Sequence, residues 1–171
     1  MNKIYIAGSG GMLGSAFYSV FKDEYNLKCS DIDQNETWLE YLDFTDFNKY
    51  KNEVISFNPN YLFHLGAITS LEECELDYDN AYKSNTIAVE NACHIANELN
   101  IPLIYISTAG IFDGKKDVYD DWDLPNPLGN YARSKYAGEL YVEKNVKKHL
   151  ICRAGWMMGG GPVKDKKFVN K

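Results

Sequence analysis

Short apolar runs alternate along the chain with segments whose apolar residues recur every three or four positions. These two periods separate buried strands from amphipathic helices. Residues 4–7 form the first apolar run and predict a buried strand, closed by the cluster Gly8, Gly10 and Gly11. Leu13, Phe17, Val20 and Phe21 then recur at helical spacing, and residues 26–30 predict a second strand ending at Asp31. Residues 34–44 carry little pattern and are expected to be loop. A helix is predicted over 46–56, stopped by Asn58 and Pro59, because a proline pushes the residue before it out of the helical region. Residues 61–65 predict a third strand. Tyr82, Thr86, Val89, Cys93 and Ala96 follow in steps of four and three, one face of a long helix. Beyond Pro102, residues 103–106 predict a fourth strand running into Ser107 and Thr108. A polar loop rich in Asp, Gly and Pro covers 113–130, a helix is predicted over 131–144, and residues 150–153 predict a fifth strand.

Strands alternating with helices over this length predict parallel βαβ units in an α/β fold: a Rossmann-type doubly wound parallel sheet. The glycines at 159–161 and Pro162 mark the one candidate boundary, so residues 1–158 are expected to form a dinucleotide-binding domain. Residues 159–171 would then begin a C-terminal substrate-binding region, the chain stopping after the fifth strand with that strand's edge uncovered. Residues 164–167 read as a solvated charged segment.

Composition narrows the function classes. The net charge of −6 argues against a nucleic-acid partner. It leaves a nucleotide ligand open, since backbone N–H groups bind phosphate without a basic patch. The four cysteines, at 29, 74, 93 and 152, form no paired spacing. Neither a metal site nor a disulfide framework is expected, and reduced thiols in a soluble cytoplasmic protein are. No apolar stretch approaches the length of a membrane span.

The segment from Gly8 to Gly14 sits between a predicted strand and a predicted helix, the context a dinucleotide-binding turn needs. Gly8 would permit the tight turn, Gly11 the close approach of backbone to a pyrophosphate, and Gly14 the packing of helix on strand. Met12 and Leu13 would offer helix N-terminal N–H groups to the phosphates. The spacing is not the strict G-x-G-x-x-G, because position 13 is leucine. Asp31, twenty residues beyond Gly11, is placed to accept hydrogen bonds from ribose hydroxyls and to repel a 2′-phosphate, which favours NAD over NADP slightly. A turn role for Asp31 stays open.

Tyr131 and Lys135 stand at i and i+4, on one face of a helix. A tyrosine holds its proton tightly at neutral pH, and a nearby ammonium would bring it closer to transfer. Thr108 follows the fourth strand at the carboxyl edge, where open α/β sheets bind ligands. His64, inside an apolar strand, reads as a core or near-cofactor residue.

Taken together, the glycine turn, residues 62–67, residues 106–114, residues 127–139 and residues 149–156 resemble the extended short-chain dehydrogenase/reductases, most nearly the dTDP-4-dehydrorhamnose reductase branch. The resemblance runs across the whole chain with the motifs in order. It implies that Thr108 orients a substrate oxygen, Tyr131 is the general acid and Lys135 tunes Tyr131 and reaches the cofactor ribose. It implies that Asn85 supports the site, that Asp43 lies near the adenine, and that Gly66 and Ala67 line the cofactor. Packing, capping and turn roles stay open for these four. The implied partner is a nucleotide-sugar, and a homodimer is an assembly open to the family. Ala109 and Gly110 stand where that branch carries Asp-Tyr, and Ala109 is similar to the sugar-nucleotide epimerases and dehydratases. The open readings are therefore a reductase of a nucleotide-activated keto-sugar, an epimerase or dehydratase, and a non-catalytic dinucleotide-binding regulatory subunit.

Overall fold

A computed structural model describes residues 1–160 together with 164 and 165. The chain runs β1 (Lys3–Ala7), α1 (Met12–Phe21), β2 (Asn26–Asp31), β3 (Leu39–Tyr41), α2 (Phe47–Phe57) and β4 (Tyr61–His64). It continues through α3 (Leu71–Leu76), α4 (Tyr78–Tyr82), a π-type turn (Lys83–Ile87) and α5 (Ala88–Leu99). Last come β5 (Leu103–Thr108), a 3₁₀ turn (Ala109–Ile111), α6 (Asn130–Asn145) and β6 (His149–Ala154). All pairings are parallel and the strand order is β3-β2-β1-β4-β5-β6. This is a Rossmann-type sheet, with its topological switch between β1 and β4.

Side-chain alternation along the strands divides the apolar residues between the two faces. Tyr5, Ala7, Leu62, Leu103 and Tyr105 join Tyr50 and Val54 of α2, Val89 and Ile95 of α5 and Val142 of α6 in the larger core. Ile4, Ile6 and Cys29 face the other way, onto Phe17, Tyr18 and Phe21 of α1. Helix ends follow local chemistry. The Asp46 carboxylate caps α2 by accepting from the Lys49 N–H, and Asn58 ends it in the left-handed region at φ 50.

Three expectations need correction. Residues 34–44 are not all loop, because Leu39 is buried beside β2 and starts the short strand β3. The chain therefore reaches a sixth strand, not a fifth, before residue 159. The long helix expected around Tyr82–Ala96 is broken into shorter pieces by the π-type turn, although Thr86, Val89, Cys93 and Ala96 are all buried as the spacing predicted. Lys164 is not solvated: its ammonium pairs with Glu36 at 2.7 Å and touches the Ser15 hydroxyl. Most of the tail expected to open a second region, residues 161–163 and 166–171, lies outside the described residues. β6 is the last strand of the sheet, with no neighbour on its outer side among the described residues.

Candidate active site

The carboxyl ends of β1, β2, β4 and β5 deliver the candidate residues to one rim of the sheet. At β1 the chain turns at Gly8, whose φ is +81. A Cβ there would lie 2.1 Å from the Gly66 nitrogen, and one on Gly14 would lie 2.3 Å from Ser9 Cα. Neither position can hold a side chain. Gly11 differs: a Cβ there would meet nothing within 4 Å. Gly11 also begins α1, which has no side-chain cap and no acidic residue in its first turn. Among the described residues no side chain caps the N–H groups at Met12 and Leu13, which stand beside an open backbone surface, as a pyrophosphate requires. The turn fits a dinucleotide.

Asp31 braces this turn. Its Oδ2 accepts from Gly10 N at 2.8 Å and its Oδ1 from Asp33 N at 2.9 Å. Asp43 folds the loop before α2, its Oδ1 accepting from Thr45 N and Thr45 Oγ1 at 2.9 and 2.7 Å. That loop sends the Phe44 ring beneath Gly66, where a Cβ would lie 2.3 Å from the ring. Gly66 is therefore confined between Gly8 and Phe44, and Ala67 follows, half-buried.

Asn85 does not face the cleft. It is fully buried in the π-type turn, with its Oδ1 accepting from Ile68 N at 2.8 Å and its Nδ2 donating to Ile68 O and Ser134 Oγ, both at 3.0 Å. It holds the backbone at Ile68 against Ser134 of α6. Ser134 donates to Tyr131 O at 2.8 Å, and Thr86 donates to Ser134 O at 2.8 Å. The first turn of α6 has no side-chain cap of its own at Gly129; instead Glu75 of α3 accepts from Asn130 N at 2.6 Å.

The catalytic candidates meet where β5 ends against α6. The Thr108 side chain lies beside the Tyr131 phenol and accepts from Gly110 N at 3.1 Å. Burial raises the Tyr131 phenol above its ordinary value, and the Thr108 hydroxyl only partly offsets this. Lys135, 3% exposed, has its ammonium 4.4 Å from the centroid of the Tyr105 ring. It makes no ion pair among the described residues. Burial lowers it to about 7, against the upward pull of Glu139. Burial, rather than the expected pull of Lys135, is the largest influence on the Tyr131 phenol. The ammonium rests on Tyr105, and desolvation governs both groups.

His64 closes the floor of this region. It is fully buried, its Nδ1 is 3.1 Å from the Tyr50 hydroxyl, and its Nε2 has no partner among the described residues. Burial first, and the Lys135 charge second, lower it to about 3, so it is neutral at physiological pH. Ser107 Oγ is likewise buried, with no partner among the described residues.

Sequence reasoning brought Gly8, Gly11, Gly14, Asp31, Gly66, Thr108, Tyr131 and Lys135 to this rim. It missed Glu75, Ser134 and the pairing of buried Glu139 with the part-exposed Arg153. Only Glu139 left a trace: an acidic residue four positions beyond Lys135 on the same helix. Among the described residues no group of three His, Cys, Asp or Glu side chains could hold a metal ion, and no helix is long and apolar enough to cross a membrane.

Sheet order, glycine turn and the Thr108–Tyr131–Lys135 group define a Rossmann-type domain of the extended short-chain dehydrogenase/reductase class. The chain belongs to the family described as RmlD substrate binding domain, whose model matches residues 1–171. It is 30% identical over 160 residues to a dTDP-4-dehydrorhamnose reductase of Aggregatibacter actinomycetemcomitans, which covers 93% of this chain and 53% of that protein. It is 30% identical over 156 residues to the methionine adenosyltransferase 2 subunit beta of Xenopus tropicalis, covering 90% of this chain and 46% of the relative. The crystal structure of dTDP-4-dehydrorhamnose reductase from Bacillus anthracis in complex with NADP superposes with a TM-score of 0.85 at 30% identity, over 93% of this chain and 55% of that one. The chain thus spans about half the length of the relatives it matches.

Proposed function

We propose that the protein is an NAD(P)H-dependent reductase of a nucleotide-activated keto-sugar, of the dTDP-4-dehydrorhamnose reductase kind. The observation that carries this reading is that Thr108 meets Tyr131 one helical turn before the buried Lys135, on the same sheet rim as the open backbone at Gly11. Residues 1–158 would act as the dinucleotide-binding unit and 159–171 as the lead into a substrate-binding region.

A bound nicotinamide dinucleotide would supply hydride. The chain's own residues supply placement and a proton. The turn Gly8–Gly14 would hold the pyrophosphate, with Asp31 and Asp43 on the adenosine side and Gly66 and Ala67 along the dinucleotide. Thr108 Oγ would hold the reacting carbonyl oxygen. Tyr131 Oη, which burial keeps protonated at neutral pH, would give that oxygen its proton. Lys135 Nζ would hold ribose hydroxyls and, as an ammonium, stabilise the phenolate left on Tyr131 when its proton leaves.

NAD(H) is favoured over NADP(H) because the Asp31 carboxylate would repel a 2′-phosphate; titration with NADH and NADPH tests it. Tyr131→Phe tests the reductase itself. Turnover of the full-length protein with nucleotide 4-keto-sugars should fall by at least about 10²-fold, while dinucleotide affinity stays within about twofold. Unchanged turnover would sink the reading. A regulatory subunit is the second reading, favoured by the likeness to methionine adenosyltransferase 2 subunit beta. It predicts dinucleotide binding with no turnover in the unsubstituted protein.

A further inference from the structure

Burial of Lys135 raises a problem that the residues around it bear on. A lysine ammonium out of water normally loses its proton unless an opposite charge stands nearby. From β4, Lys135 faces His64; from β5, the Tyr105 ring; from its own helix, Tyr131 and Glu139; and beyond Glu139 stands Arg153 of β6. Tyr50 of α2 and Cys93 of α5 lie behind His64 and Tyr105. His64, Tyr105 and Tyr131 are all held neutral by burial at physiological pH. The Glu139 carboxylate alone among these groups favours a charged lysine.

Its geometry suits that task. Glu139 lies one helical turn beyond Lys135 on the same face of α6 and is itself 1% exposed. Only one of its oxygens is used by Arg153: Oε1 accepts from Nη2 at 2.8 Å and from Nε at 3.1 Å. Oε2 is buried with no partner among the described residues. Arg153 thus anchors the carboxylate through one oxygen and leaves the other unengaged.

We propose that Glu139 is a positioning residue whose carboxylate, anchored to β6 by Arg153, keeps an ammonium on Lys135. The consequence for turnover rests on the reductase reading; the charge effect on the lysine does not.

The test follows Lys135 directly, in intact protein labelled with ¹³C at lysine Cε, the signal being assigned by its loss in Lys135→Met. Glu139→Gln keeps the acceptor for Arg153 but removes the charge. The Lys135 titration midpoint should fall by about one pH unit, while Glu139→Asp should retain most of the parent value. If Glu139→Gln does not fold, the double variant Glu139→Gln/Arg153→Met removes both charges of the pair together, and a smaller downward shift is expected. A midpoint that stays put or rises, with only the melting temperature reduced, would overturn the proposal and leave the pair a purely structural clasp. In active protein, the alkaline limb of kcat/KM should move downward with the midpoint. A moving midpoint in protein that never turns over a nucleotide keto-sugar would keep this inference and sink the reductase.

Discussion

The glycine turn and the Tyr131–Lys135 rim share one sheet edge but are built on opposite principles. At the turn, shape comes from backbone meeting backbone: Gly8 against Gly66, and Gly14 against Ser9. Nothing there depends on a titrating group except the bracing by Asp31. At the rim, shape comes from buried polar side chains. Asn85, Thr86 and Ser134 satisfy each other's neighbours, while His64 and Lys135 are buried without full compensation. The first region should resist changes of pH and fail abruptly on gaining a methyl group. The second should tolerate some changes of shape and respond strongly to protons.

The sharpest contrast lies within the turn. Gly8→Ala forces a Cβ into the Gly66 backbone at a positive φ. A loss of more than about 3 kcal/mol in denaturant unfolding is expected. Near-parent stability in the Gly8→Ala variant would show that the two loops are not held in contact.

Acid should act on the other region. His64 has a folded value of about 3, below its ordinary 6.5. As pH falls below about 6.5 the unfolded chain takes up a proton that the native state refuses. Stability is therefore lost down to about pH 3, at up to ~1.4 kcal/mol per pH unit. Unfolding midpoints at pH 7 and pH 4.5 measure this, and His64→Gln should flatten the difference. If the slope survives that substitution, carboxylates carry it instead.

Lys135 acts with the same sign, higher on the pH scale. Its folded value of about 7 lies below the ordinary 10.5, so between these two the unfolded chain holds a proton that the native state has released. Stability rises with pH across that window. Lys135→Met should remove the rise and raise stability at pH 7 by about 1–4 kcal/mol, while costing activity. Lower stability in the Lys135→Met variant would mean that the contact with Tyr105 outweighs desolvation.

The smallest effect on stability is expected from Gly11→Ala. With open space around it, unfolding should change by no more than ~0.5 kcal/mol. Dinucleotide affinity, measured by calorimetry, should nonetheless fall about tenfold, or ~1.4 kcal/mol. Equal effects at positions 8 and 11 would erase the distinction between structural and ligand-facing glycines.

The same division explains what the sequence made legible. Backbone-determined features announce themselves locally: a strand, then glycines at 8, 11 and 14, then a helical period. Tyr131 and Lys135 were visible because four residues make one helical turn. The short strand β3 escaped because only Leu39 of its three residues is buried, which leaves no alternation to read. The charge states of Tyr131 and Lys135 escaped because desolvation is a property of the packed core, not of spacing. Glu75 and Arg153 act across 55 and 14 residues of chain, separations that no local pattern records.

One consequence follows from the π-type turn at Lys83–Ile87. Such a turn holds one more residue than the regular coil around it. Deleting a single residue there would restore ordinary winding and leave the helices on either side in register, because the wide turn absorbs the extra residue. The loss would fall on the turn itself: on Asn85, with its bonds to Ile68 and Ser134, and on Thr86, with its bond to Ser134. The extra residue therefore serves the segment it ties down rather than the course of the helix.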